Sequence, residues 1–446
     1  MAQSLAGFQD RFKGQLIRPD DPEYDRARVV WNGIADRRPA LIARCTDVDD
    51  VVEAIRFGRE EDLLIAVRGG GHSVAGFSTC DGGLVIDLSR MREVLVDPVS
   101  KRARTQGGAH LSQLDQAAQE HDLVCPVGVV GHTGVAGLTL GGGMGRLHRK
   151  FGLTVDNLLR VDLVTADGEK VSASEAENPD LFWGLRGAGA NFGVATSFEL
   201  RLHPLEGTVF HGGVAFPIER SLEIAGRVRD FMAAHADVHV AIAFTRADEL
   251  GGQPVFMVGS MHTGSVDQAE KEVRVFRDAN PLMDSYGVKQ YLAVQSMADD
   301  AMGWGKRFYT KSGFIPELSD EVVELCASQT ETIPPDAELS LWAQGGMVGG
   351  VRDDAMAYTG RDGAFSVSAE LLWTDPADDA ARIAWGRTAL AALKPLMSAG
   401  RYVNDVVEPG TDGAQIYGKA KYERLVTLKR KYDPDNVFRL NQNIKP

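Results

Sequence analysis

The feature that most constrains this chain is where its glycines stand. Glycine supplies 49 of the 446 residues, and the excess crowds into three stretches: Arg68-Gly69-Gly70-Gly71-His72-Ser73, the run Gly131 to Gly145, and Arg186-Gly187-Ala188-Gly189-Ala190-Asn191-Phe192-Gly193. Such loops bring backbone N–H groups together with no Cβ in the way, a nest for phosphate. One cluster alone reads equally as a tight turn. Three of them point to a large diphosphate ligand.

The usual diphosphate fingerprints fail. Gly187, Gly189 and Gly193 make G-x-G-x-x-x-G, one residue too long, and Leu181-Phe182-Trp183 before it is not the expected buried strand. The segment Gly413 to Ala420 misses a Walker A because Ala420 replaces the Ser or Thr that holds magnesium. A Rossmann or P-loop protein is excluded.

Composition narrows the partners. With 48 Lys and Arg against 62 Asp and Glu, the net charge of −14 argues against nucleic acid or an anionic membrane. Cys45, Cys80, Cys125 and Cys326 are widely spaced, so neither a disulfide framework nor a zinc site is expected, and a reducing compartment suits them. The N-terminus meets Asp10 before an apolar signal core can form. The uncharged run Leu123 to Gly145 is long enough for a bilayer, but its glycines, Pro126 and His132 make it a buried loop system. The expected location is cytoplasmic.

The first two hundred residues alternate helix and strand. Val48, Val51, Val52 and Ile55 mark an amphipathic helix after Asp47; Leu64–Val67 and Gly83–Leu88 read as strands, Leu111–Ala118 as a helix, and Val161–Ala166 as a strand ending in an Asp-Gly turn. After His203-Pro204 the pattern changes. Candidate strands Val238–Thr245, Val255–Ser260, Leu339–Ala343 and Phe365–Trp373 alternate with helices around Val266–Phe276 and Asp378–Leu393. The expected fold class is α+β, with a second domain of antiparallel sheet backed by helices.

Four segments carry a family resemblance. Ile65–Ser73, Gly134–Gly143, and Gly187–Gly193 with Val194-Ala195-Thr196 resemble the signature of FAD-linked oxidases of the vanillyl-alcohol oxidase superfamily, which have a PCMH-type FAD-binding domain. Tyr432–Ile444 resembles the C-terminal segment of the berberine-bridge-enzyme-like branch, to which the bacterial 6-hydroxy-D-nicotine oxidase-like proteins belong. The resemblance implies an FAD-binding domain over 1–204, a substrate domain over 205–400, and a segment 401–446 returning to the FAD domain.

It also implies a site. The first loop would offer Arg68, Gly69, Gly70, Gly71, His72, Ser73 and Gly76 to FAD. The second would offer Thr133, Gly134, Val135, Gly137, Leu138, Gly141, Gly142 and Gly143. Asn157, Asn191, Gly193 and Val194 follow, with Tyr402, Asn441 and Asn443 from the C-terminal segment. His72 holds the position that the family joins covalently to the flavin 8α-methyl; read from spacing alone it is equally a polar loop residue. Val130 stands where some relatives carry a second, cysteinyl link, and Cys125 lies five residues early, so a single link through His72 is expected.

Catalytic candidates lie further on. Ser340, Trp342 and Gln344 alternate on one strand, and Ser368, Glu370 and Leu372 on another. Glu370, amid apolar neighbours, reads either as a base with a raised pKa or as an outward ion-pair partner. Trp342 reads as a pocket wall or simple packing. Tyr402 and Asn404 share one side of Tyr402-Val403-Asn404, and read either as proton and substrate handlers or as structural hydrogen-bonders. Tyr309 is a weaker candidate. His148, among Arg146, Arg149 and Lys150, is either surface charge or a neutraliser of pyrophosphate, and no spacing suggests a metal.

The implied activity is an FAD-dependent oxidase. It would dehydrogenate a small organic alcohol or amine, possibilities including a sugar or secondary metabolite, with O2 as the final acceptor and H2O2 as product. The alternatives are a dehydrogenase using another acceptor, and a flavin-bearing protein that sequesters its ligand. Oligomeric state is open.

Overall fold

The computed structural model describes residues 2–408 and 410–446. A four-stranded sheet opens the fold. Leu41–Arg44, Leu84–Asp87 and Ile65–Arg68 run parallel, and Gln15–Ile17 adds an antiparallel edge. The helix Val48–Glu60 covers it, starting where the Asp47 carboxylate accepts the Asp50 N–H, with Val51, Ala54 and Ile55 turned inward. The strand Ile65–Arg68 runs directly into Gly69-Gly70-Gly71, which puts the first glycine loop at the end of a parallel strand.

An antiparallel sheet of five strands follows, in the order Val94–Asp97, Arg102–Gln106, Val194–Arg201, Leu158–Val164, Lys170–Ser174. Leu181-Phe182-Trp183 lies in the helix Pro179–Ala188, which breaks at Gly187, where φ is +129°. That conformation is one a Cβ disfavours, and an added Cβ there would stand 2.2 Å from the Tyr358 nitrogen. The glycine is needed for close backbone approach.

The third sheet has eight strands. Along its path lie Met283–Asp284, Thr208–Pro217, Gln253–His262, His239–Ala247, Ala337–Ala343, Phe365–Trp373 and Arg307–Ile315, with Gly287–Gln290 also pairing to Thr208–Pro217. The four strands expected from periodicity are all present, and the helix over Asp379–Leu393 starts one residue late. Four further strands, Thr208–Pro217, Met283–Asp284, Gly287–Gln290 and Arg307–Ile315, went unread. Gly212 and Gly213 interrupt the first; a Cβ at Gly212 would lie 2.4 Å from the Tyr286 Cα, so a bare backbone is required.

The faces of this sheet differ sharply. Phe244, Leu339, Leu341, Val367, Ala369 and Leu371 share one core with residues of the helices Ser221–Ala234, Val266–Arg277, Asp320–Gln329 and Asp379–Leu393. On the other face the register aligns Glu338 with Glu370 and Thr310, and Ser340 with Ser368 and Ser312. Burying so much hydroxyl and carboxyl on one face is costly unless those groups hydrogen-bond or serve a site.

The C-terminal helix Lys419–Tyr432 returns to the first half of the chain. Leu425 and Leu428 enter the core that holds Leu181, Phe182 and Phe192. No helix among the described residues is long and apolar enough to cross a membrane.

Candidate active site

The three glycine loops converge on one cavity of about 410 Å³. Its wall includes Gly69, Gly70, Gly71, His72 and Ser73 from the first loop. The second loop adds Thr133, Gly134, Gly137, Leu138 and Gly141, and the third adds Asn191 and Gly193. Tyr402, Asn404 and Asn441 come from the C-terminal segment. The first two loops meet backbone to backbone: a Cβ on Gly70 would lie 2.3 Å from the Gly134 nitrogen.

Several expected residues stand behind the wall. Arg68 pairs with Asp87 at 3.0 Å, both buried. The Asn157 amide donates to the Phe151 and Leu153 carbonyls and its oxygen lies 2.6 Å from His203 Nε2. Gly76 occupies a turn whose carbonyl accepts from Arg37. Gly142 and Gly143, both at positive φ, shape the loop end. Val135 and Val194 are buried in the cores, and the buried Asn443 Oδ1 has no hydrogen-bond partner. Cys125 is buried away from the wall, where desolvation pushes its thiol pKa up, while Val130 is on the wall.

His72 is enclosed by rings. Trp31 stacks on it with centroids 4.4 Å apart and planes 16° from parallel, and Trp304 meets it edge-on. Its Nε2 lies 2.6 Å from His132 Nδ1. Burial, with His132 and His110 adding smaller effects, lowers its pKa to about 2, so the imidazole is neutral.

Tyr402, also on the wall, gathers hydrogen bonds. Its hydroxyl oxygen accepts N–H bonds from Gly143 at 3.2 Å, Met144 at 3.3 Å and Asn404 Nδ2 at 3.1 Å. Burial lifts its pKa to about 12, and those three bonds pull the other way. Asn404 also donates to the Leu138 carbonyl and lies against Gly141, where a Cβ would stand 2.0 Å from its Oδ1.

Asp405, absent from the sequence-based candidates, also lines the cavity. Burial first, then the charge of Glu370, pushes its pKa up to about 7, against a hydrogen bond from Ser312. Glu370 accepts from Ser340 at 3.0 Å and Ser368 at 2.7 Å, so it is no outward ion-pair partner. Beside it, burial lifts Glu338 to about 8. Glu370, Trp342 and Gln344 stand off the cavity wall. Gln344 reaches it through Met144, 3.3 Å from its Nε2, and Trp342 packs by His239 with ring centroids 5.0 Å apart.

Two readings need correction. His148 and Arg149 are not surface charge: both are buried, and His148 faces the Gly145 and Ala343 carbonyls away from the cavity. Tyr309 faces the helix-backed side, where its ring lies against Gly386. Alternation along Arg307–Ile315 would have shown this, had that strand been recognised.

Comparison with known proteins agrees with this geometry. The family model described as FAD binding domain matches residues 39–174, and the one described as berberine and berberine like matches 402–445. An FAD-linked oxidoreductase of Dictyostelium discoideum is 32% identical over 100% of this chain and 97% of its own. The (R)-6-hydroxynicotine oxidase of Paenarthrobacter nicotinovorans is 31% identical, covering 97% of each chain. The crystal structure of 6-hydroxy-D-nicotine oxidase from Arthrobacter nicotinovorans superposes with a TM-score of 0.87 at 29% identity over 98% of both chains.

The cavity fits FAD on its own terms. A Cβ added to Gly137, on the wall, would meet no protein atom within 4 Å, so the loop leaves open space where a side chain would intrude. The buried Ser78 Oγ, Tyr417 hydroxyl and Asn441 Oδ1 belong to wall residues and lack partners, as groups awaiting a polar ligand would. From the glycine cradle, the returning C-terminal segment and full-length similarity together, the chain belongs to the FAD-linked oxidoreductases of the berberine-bridge-enzyme-like family.

Proposed function

We infer that this oxidoreductase is an oxidase for a small alcohol- or amine-bearing organic molecule, with FAD bonded to His72. FAD, when bound, supplies the hydride acceptor and passes its electrons to O2, giving H2O2. The observation that carries the reading is the shared wall: His72, the three glycine loops and the Tyr402–Asp405 turn all border one cavity. The chain division into 1–204, 205–400 and 401–446 is part of the proposal, supported by a C-terminal helix packed on the first half.

The chain's own groups would do the following. Tyr402, its oxygen fixed by three N–H donors, offers its proton to the substrate heteroatom and orients it. Asn404 holds Tyr402 in place. Asp405 accepts the substrate proton as the C–H bond breaks; burial, with a smaller push from Glu370, which Ser340 and Ser368 hold in place, keeps its carboxyl basic. The 6-hydroxynicotine oxidase relative and the Asp405 carboxyl on the wall support an amine as readily as an alcohol.

The reading is tested by recording the flavin spectrum of the purified protein and screening alcohols, amines and sugars for peroxide release. Anaerobic bleaching by a substrate followed by slow reoxidation in air would make it a dehydrogenase. Ligand binding without bleaching would make it a sequestering protein. A pH profile examines Asp405. Below its pKa of about 7 the carboxyl is protonated and cannot take a proton, so kcat/KM should climb with pH and level off above 7. Asp405→Asn should remove that limb and lower the plateau by about 10²-fold or more. An unchanged limb in the variant would assign the titration to another group.

A further inference from the structure

His72 and His132 are coupled through a hydrogen bond of 2.6 Å between Nε2 of the first and Nδ1 of the second. The remaining nitrogen of His132, Nε2, faces the Asp299 backbone carbonyl at 3.4 Å. A carbonyl only accepts, so His132 carries its proton on Nε2 and presents a lone pair at Nδ1. His72 must then be the donor, with its proton on Nε2 and an unprotonated Nδ1. One backbone carbonyl thus sets the tautomers of both rings. The same Asp299 anchors its segment by accepting the Gly131 N–H at 2.6 Å, which holds the carbonyl beside His132.

We propose that His132 is a positioning residue for flavin attachment, holding His72 with Nδ1 ready to bond and taking the Nε2 proton as that bond forms. The inference rests on the tether proposed above. The bond formed joins His72 Nδ1 to the flavin 8α carbon; the bonds broken are one 8α C–H and the His72 Nε2–H. The C–H proton leaves to solvent, and the flavin ring gains two electrons. O2 removes them and becomes H2O2, the same oxidant that turnover uses. Without a proton acceptor the new imidazole would be a cation at Nε2. Burial disfavours such a cation, lowering the His72 pKa to about 2, and Trp31 stacked on the ring with Trp304 at its edge offers it no acceptor. His132 Nδ1 is placed to receive that proton.

The test uses full-length protein carrying its own flavin. Wild type, His132→Ala, His132→Asn and His72→Ala are purified, and the share of FAD that stays in the acid-precipitated pellet is followed over time. Wild type should keep nearly all of it. Both His132 variants should bind FAD yet attach it at least about tenfold more slowly, the loss expected for a missing general base. Asparagine can still accept the His72 hydrogen bond but cannot take its proton. Added imidazole should speed attachment in His132→Ala in proportion to its concentration, and do nothing for His72→Ala. A packing role for His132 would give no such rescue. Attachment at the wild-type rate in His132→Asn would overturn the proposal, as would a slowed His132→Ala that imidazole leaves unchanged. If His132→Ala fails to bind FAD, His132→Asn decides in the same assay. A wild-type pellet without flavin sinks the tether itself, a result distinct from both.

Discussion

Changing Tyr402 to phenylalanine is expected to lower kcat/KM by about 10²- to 10⁴-fold while FAD remains bound. The phenol oxygen on the wall accepts from three donors: Gly143 N, Met144 N and Asn404 Nδ2 all point at it. In the proposed reading its proton goes to the substrate, and phenylalanine supplies none. The substitution removes an interaction made as the proton moves, so kcat and kcat/KM should fall together with KM little changed. It also strands two backbone N–H groups, at a cost of about 1–3 kcal/mol each in a buried setting. A melting curve separates the two effects. If the variant melts lower but turns over at the wild-type rate, Tyr402 is structural and its catalytic role is wrong.

The second large effect is on stability. Lys429 is fully buried and donates to the Asn191 carbonyl at 2.9 Å, the Asp433 carboxylate at 2.7 Å and the Phe438 carbonyl at 2.9 Å. Asp433, equally buried, also takes the Val437 and Phe438 N–H groups. This knot ties the C-terminal segment to Asn191 and Phe438, both on the cavity wall. Lys429→Met keeps most of the unbranched chain and loses the charged end. It leaves Asp433 buried and unpaired, so it should destabilise the fold by about 3–5 kcal/mol in urea unfolding. FAD should also be held more loosely, because the third loop loses its anchor. A loss under about 1 kcal/mol would show that the segment docks mainly through Leu425 and Leu428 instead.

How much of this was legible in the residues depended on the kind of signal. The glycine loops announced themselves because a bare backbone leaves a compositional mark, and they do meet at one cavity. Strands with clean alternation, such as Phe365–Trp373, were readable to the residue. Thr208–Pro217 was not, because Gly212, which admits Tyr286, and Gly213 beside it erase its alternation. Asp405 was missed for a different reason. Nothing local marks it: its pKa arises from burial and from Glu370, a strand distant in sequence. The pairing of His72 with His132 is likewise a product of folding, since 60 positions separate them. The polar patch around His148 was misjudged because charge in a sequence does not show whether tertiary packing will cover it.

The central claim is that FAD fills this cavity and is bonded to His72. Intact-mass measurement of the denatured, purified protein, followed by peptide mapping, tests it most directly. The account predicts one FAD adduct per chain, located on the peptide containing His72 and absent from His72→Ala. A denatured chain of unmodified mass, or an adduct on any other peptide, would contradict it.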